Sequence, residues 1–174
     1  MSTSPEWEFD EFVRARTPAL LRSAFLLTSD QQLAEDLVQS ALSRTHRAWK
    51  RLARLGNAEA YTRKTMYHLQ VNWWRRRARE REINRTLHQQ ETTVASDSAD
   101  EVVRRRSLQE ALVGLAPRQR AVIVLRFYED RTVTDTAQIL GCSEGTVKSQ
   151  TSKALTRLRV DNPGLSEFAE RSFA

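Results

Sequence analysis

One cysteine, Cys142, stands among 174 residues, so no internal disulfide can form and the chain suits a reducing compartment. Histidine is nearly as scarce. His46, His68 and His88 lie far apart, and no Cys/His cluster has the spacing of a zinc site. Five glycines leave no Gly-rich loop that could cradle a phosphate. Nucleophile–base pairs and paired carboxylates at usable spacing are missing too, which argues against an enzyme and calls for no cofactor and no metal. No run of eighteen apolar residues occurs, so no membrane insertion is expected. The opening MSTSPEWEFDEF lacks the basic-then-apolar order of a signal peptide. Strand-like alternation is hard to find. The expectation is an all-α, cytoplasmic protein.

What the chain has is positive charge in two blocks. The net charge is +6. From Met1 to Ser40 there are three basic and seven acidic residues, but from Ala41 to Glu82 there are twelve and three. Ile83 to Glu101 carries one basic and four acidic residues, and Val102 to Val160 carries eleven and five. Two basic blocks flanking an acidic connector suggest two separate surfaces for a polyanion. Solvated helix faces would account for the charge alone.

The connector TLHQQETTVASDSADE, Thr86 to Glu101, has almost no large apolar residues. It can bury too little to offset ordering entropy, so it reads as a flexible linker. Two small helical domains are therefore expected, over 1–84 and 102–174, with the linker at 85–101. In the first, FDEFVRARTPALLRSAFLLT is apolar at helical spacing, with Pro18 expected to bend or break it. Asp30 is placed to N-cap a second helix, QQLAEDLVQSALSRTHRAWKRL. Projected at 100° per residue, Leu33, Leu37, Ala41, Ala48 and Leu52 share one side of it. Asp36, Gln39, Ser40, Ser43 and Arg47 fall on the other. After the break RLGNAE, one long helix is expected from Tyr61 to about Glu82.

That long helix contains VNWWRRRARERE and has two apolar stripes. Met66, Leu69 and Trp73 form one, and Tyr67, Val71 and Trp74 the other. Trp73 is expected in the core. Trp74 either packs or stacks on bases. Arg75, Arg76, Arg77, Arg79 and Arg81 wind around the helix end, which favours phosphate contact over a one-sided membrane stripe.

The second domain carries the most specific pattern. Pro117 opens the apolar segment PRQRAVIVLRFY, and Thr132 with Asp135 resembles a capping box in front of TDTAQIL. Gly141 and Cys142 make a tight turn, and Ser143 caps EGTVKSQTSKALTRLR. A short helix, a Gly-containing turn and a longer helix make a helix-turn-helix. On its last helix Val147, Thr151, Ala154, Leu155 and Leu158 form the holding stripe. Ser149, Ser152, Lys153 and Thr156 face away, flanked by Lys148 and Arg157. Hydroxyls between basic residues suit base edges and phosphates of a major groove.

The segment LAPRQRAVIVLRFYEDRTVTDTAQILGCSEGTVKSQTSKALTRLR resembles the promoter-binding C-terminal domain of extracytoplasmic-function sigma factors of bacterial RNA polymerase. AEDLVQSAL resembles the family's polymerase-binding helix and AYTRKTMYHLQVNWWRRR its promoter-melting helix, in the right order. The similarity runs from about Phe9 to Arg159, and the Trp-Trp-Arg ending resembles an actinobacterial subgroup. It implies a transcription initiation factor that binds core RNA polymerase, through its beta-prime and beta subunits, and promoter DNA. Whether an anti-sigma factor is a further partner is left open. Residue by residue, Asp36, Gln39, Ser40 and Leu42 match polymerase-docking positions. Gly56, Asn57, Arg63, His68, Trp74, Arg75, Arg76 and Arg77 match positions that capture and hold the minus-ten DNA. Lys148, Ser149, Ser152, Lys153 and Arg157 match minus-thirty-five contacts. Thr136 departs from the pattern by standing at a usually aliphatic core position. A free-standing helix-turn-helix regulator is the alternative, but it leaves the Trp- and Arg-bearing first domain without a role.

Overall fold

The computed structural model describes residues 5–84 and 109–161. In chain order the helices are α1 (Pro5–Thr28), α2 (Gln31–Arg47), α3 (Trp49–Leu55), α4 (Ala58–Asn84), α5 (Pro117–Ile123), α6 (Val133–Leu140) and α7 (Glu144–Asp161). Helical residues 109–113 precede α5, which runs on into a π-helical turn at Val124–Tyr128. No strand occurs among the described residues, as the all-α reading expects. None of these helices is long and apolar enough to cross a membrane. The connector Thr86 to Glu101 and the chain beyond Asp161 lie outside the described residues.

Local signals set several boundaries. The Asp30 carboxylate accepts a hydrogen bond from the Leu33 amide at 2.8 Å and starts α2. Gly56, with φ of 63°, ends α3 in the left-handed region that glycine tolerates. Thr132 and Asp135 cap α6 reciprocally: the Asp135 amide donates to the Thr132 hydroxyl at 3.0 Å, and the Thr132 amide donates to the Asp135 carboxylate at 3.4 Å. Gly141, also at φ 63°, closes α6.

Two boundaries differ from expectation. Helix α1 runs unbroken through Pro18. Both Pro18 and Arg14, whose carbonyl loses its partner, are exposed, so water can serve that carbonyl. Each half of α1 is held separately. Phe9 meets the Trp49 ring edge-on and Phe12 meets it at a tilt, with centroids 5.1 and 5.2 Å away, while Leu20, Ala24 and Leu27 sit in the main core. The second helix, expected to reach Leu52, instead breaks at Ala48 (φ −104°, ψ 6°). No glycine or proline marks that break. It turns α3 so that Trp49 and Leu52 form a separate cluster with Phe9, Phe12, Ala58 and Tyr61.

The largest core cluster does not respect the division of the sequence. Leu20, Ala24 and Leu27 of α1, four residues of α2, and Met66 and Tyr67 of α4 pack with Ala121, Val124 and Leu125 from the C-terminal half. Ile139 and Leu140 of α6 lean on the same cluster. Apolar burial therefore joins the two halves as well as stabilising each.

Candidate nucleic-acid interface

The last two helices form the helix-turn-helix expected from the turn and caps. The Ser143 hydroxyl accepts from the Thr146 amide at 3.2 Å and opens α7. Val147 and Ala154 are fully buried, and Thr151, Leu155 and Leu158 are half-buried beneath them. Lys148, Ser149, Ser152, Lys153, Thr156 and Arg157 are all exposed. Arg157 rests on Asp161 at 3.2 Å, an exposed pair that a phosphate could displace. One face thus offers three hydroxyls between three cations, the chemistry that meets base edges and phosphates.

On α2 the expected polar face is exposed. Asp36, Gln39, Ser40, Ser43 and Arg47 all lie in solvent, opposite buried Ala34, Leu37, Val38, Ala41 and Thr45. The Asp36 carboxylate receives a long 3.4 Å contact from Gln32, which leaves it free to accept more. Leu42 differs. It is half-buried and packs against the main core.

The residues singled out on and before α4 divide into two groups. Gly56 and Asn57 are exposed at the α3–α4 turn, and Arg76 is exposed on α4. The side chains of Arg75 and Arg77 lie outside the described part. Arg63, His68 and Trp74 are already engaged. Arg63 is 8% exposed, with one guanidinium nitrogen 3.0 Å from Glu59 and the other 3.0 Å from Glu129. His68 Nε2 lies 2.9 Å from the Ile139 carbonyl, at the end of α6. Arg120 places its guanidinium 5.2 Å over the Trp74 ring. Trp73, expected in the core, is half-buried, as is Trp74. Among the described side chains of α4, the fully buried ones are instead Thr62, Met66, Tyr67 and Gln70.

Two polar residues that the sequence reading passed over organise this region. Glu129 follows the π-helical turn, its amide bonded back to the Val124 carbonyl at 2.9 Å. Its side chain is only 6% exposed. Ser23 donates to its Oε1 at 2.7 Å and the Tyr67 hydroxyl donates to the same oxygen at 2.9 Å. Arg63 faces Oε2 as an ion pair without hydrogen-bond alignment. Burial, then the Glu129 charge and hydrogen bond, push the Tyr67 phenol well above its ordinary value.

Arg120 is the second. It is 2% exposed and donates to the Leu27 carbonyl at 2.7 Å and the Val113 carbonyl at 2.9 Å. Burial lowers its pKa to about 10, so it stays charged at neutral pH. A sequence signal existed for Arg120. It falls at helical spacing with Val124 and Phe127, a cation placed on an apolar stripe. Glu129 carries no such mark, because it sits at the edge of the acidic turn EDR.

Residues 12–80 match the family model described as Sigma-70 region 2, and residues 111–160 match Sigma-70, region 4. The chain is 44% identical over 154 residues to the RNA polymerase sigma-E factor of Streptomyces avermitilis, covering 88% of this chain and 84% of that one. It is 41% identical to the sigma-E factor of Streptomyces coelicolor, covering 88% and 85%. It is 33% identical over 146 residues to the ECF RNA polymerase sigma factor SigL of Mycobacterium tuberculosis, covering 81% of each. A solved structure, the sigma factor RpoE of Bartonella quintana in complex with the anti-sigma factor NepR, superposes with a TM-score of 0.68 at 27% identity, over 87% of this chain and 94% of that one. With both sigma regions matched in order and relatives similar over most of their lengths, the chain belongs to the extracytoplasmic-function family of RNA polymerase sigma factors.

Proposed function

We propose that this chain binds core RNA polymerase in the cytoplasm and directs it to promoters, reading a minus-thirty-five and a minus-ten element and helping to open the DNA. The observation that carries this reading is the outward face of α7. Six exposed polar and basic residues there are backed by a buried apolar stripe, in the half of the chain that matches sigma region 4. Residues 1–84 act as the polymerase-binding and minus-ten unit, 85–101 as a linker, and 102–174 as the minus-thirty-five unit. Asp36, Gln39, Ser40 and Leu42 dock on polymerase, with Leu42 contributing only the edge that its packing leaves accessible. Gly56, Asn57, Arg63, His68, Trp74 and Arg75 to Arg77 serve the minus-ten DNA. Lys148, Ser149, Ser152, Lys153 and Arg157 serve the minus-thirty-five DNA. No catalytic step is assigned to the chain, because the polymerase carries the chemistry. An anti-sigma factor is a further partner, by likeness to the complexed relative.

The test is reconstitution with core polymerase, transcription of a genomic library, and mapping of start sites. The reading predicts starts sharing two spaced elements upstream. A free-standing regulator would instead bind its duplex at nanomolar concentration without polymerase and add no starts.

A further inference from the structure

Helices α6 and α7 carry three acidic residues, Asp135, Glu144 and Asp161. Two of them have local work. Asp135 caps its own helix together with Thr132, and Asp161 pairs with Arg157 at 3.2 Å. Glu144 does neither. Ser143 already caps α7, so the start of that helix does not need the glutamate side chain. Lys148 stands four residues on, where a helical glutamate ordinarily finds its cation, yet no ion pair joins the two among the described residues. The carboxylate turns back to α6 instead. Thr134 donates its hydroxyl to Glu144 Oε1 at 2.7 Å, across ten residues and the turn between the helices. One exposed side chain thus holds another in place, and Oε2 keeps no hydrogen bond among the described residues.

A helix-turn-helix presents the N-terminal residues of its second helix to base edges, and Glu144 is the first residue of α7. Beside phosphates a fixed carboxylate is repelled, so on most sequences Glu144 weakens binding. It strengthens binding only where a base offers a donor. In the major groove guanine offers only acceptors, and thymine an acceptor and a methyl group. Adenine sets its N7 acceptor beside its amino group, which opposes a carboxylate. Cytosine presents its N4 amino group alone.

We infer that Glu144 determines specificity within the minus-thirty-five element, its carboxylate accepting a hydrogen bond from the N4 amino group of one cytosine. Thr134 is the positioning residue that aims it. The inference rests on the reading that the outward face of α7 meets that element. Glu144 and Lys153 are nine residues apart in sequence, about 13 Å along the helix, so they reach different base pairs.

The experiment uses reconstituted holoenzyme and duplexes of one mapped promoter, each minus-thirty-five base pair replaced in turn by the other three. Competition binding then gives the preference at every position. The parent should favour a cytosine at one position, on either strand, by about tenfold over the other bases. Glu144→Ala should abolish that preference alone, and should bind duplexes lacking the cytosine as tightly as the parent or tighter. Glu144→Gln should move the preference toward adenine, which meets an amide through N6 and N7. Thr134→Val should reduce the preference while cytosine stays favoured. Unchanged preferences in Glu144→Ala overturn the inference, as does an equal loss on every duplex, the mark of a role in folding alone. A preference lost for a base other than cytosine overturns the assignment of the base. Lys153→Ala on the same duplexes judges the underlying reading separately. If Lys153→Ala weakens binding while Glu144→Ala changes nothing, the reading stands and the role of Glu144 falls. No change with either variant overturns both.

Discussion

Tyr67 and Glu129 stand 62 residues apart in the chain and meet hydroxyl to carboxylate at 2.9 Å, inside the seam between the two halves. Removing that hydroxyl leaves the carboxylate short of a donor, so Tyr67→Phe should destabilise the fold by about 1.5–3 kcal/mol at neutral pH, the range for a hydrogen bond to a charged group. The pH dependence has a definite sign. The folded phenol holds its proton above the ordinary value of 10.0, so its contribution is complete below that pH and is lost as pH rises through the higher folded value. In urea titrations the cost of Tyr67→Phe should therefore stay constant from about pH 7 to about pH 9 and shrink above about pH 10. A cost that grows with alkalinity would contradict the assignment.

Thr136 offers a gain. It is fully buried in α6, and its hydroxyl has no hydrogen-bond partner among the described residues. Thr136→Val replaces an unsatisfied hydroxyl with a methyl of similar size and should stabilise by about 1 kcal/mol. For a chain of this length the melting midpoint should rise by roughly 2–4 °C. A lower midpoint would mean that the hydroxyl has a partner in solution.

Much of the local structure was legible from the residues themselves. Asp30 before QQLAEDL, Thr132 with Asp135, and Gly56 and Gly141 each act within a few positions of where they stand, so their caps and turns could be read directly. The outward face of α7 was legible for the same reason, since a helix converts spacing into direction. The break at Ala48 and the continuity through Pro18 were not. Both follow from where Phe9, Phe12 and Trp49 pack, which is a tertiary outcome. The engagement of Arg63, His68 and Trp74 was hidden more deeply. Ser23 and Glu129 are 106 residues apart, and His68 and Ile139 are 71 apart, with no periodicity linking either pair. The π-helical turn that aims Glu129 has no signature in VLRFY.

Polymerase binding should depend on the exposed face of α2. Asp36 projects into solvent with only a long contact from Gln32 among the described residues. Asp36→Arg should weaken core binding by about 1–3 kcal/mol, the scale of a lost charge-assisted interface contact, without changing helical circular dichroism. Parental affinity for this variant in a pull-down titration would remove α2 from the polymerase interface.

The arginines from Arg75 to Arg77 should set affinity without setting sequence. Replacing all three with alanine should lower holoenzyme binding to every promoter alike. The slope of log affinity against log salt should fall by roughly two to three units, about one for each lost phosphate contact. A promoter-selective loss at unchanged slope would show instead that they read bases or support the fold.

Recognition and opening should separate by mutation, because Lys153 lies on the outward face of α7 and His68 on α4, in different halves of the chain. Abortive transcription by reconstituted holoenzyme on paired templates, one closed duplex and one pre-melted around the start site, measures this directly. Lys153→Ala should weaken minus-thirty-five recognition by about 1–3 kcal/mol, as expected for a lost base-edge or phosphate contact, and should recover only in part on the pre-melted template. His68→Ala should fail on the closed duplex and regain most of its activity once the DNA is already open. Identical responses of the two variants to pre-melting would contradict a sigma factor whose two halves divide reading from opening.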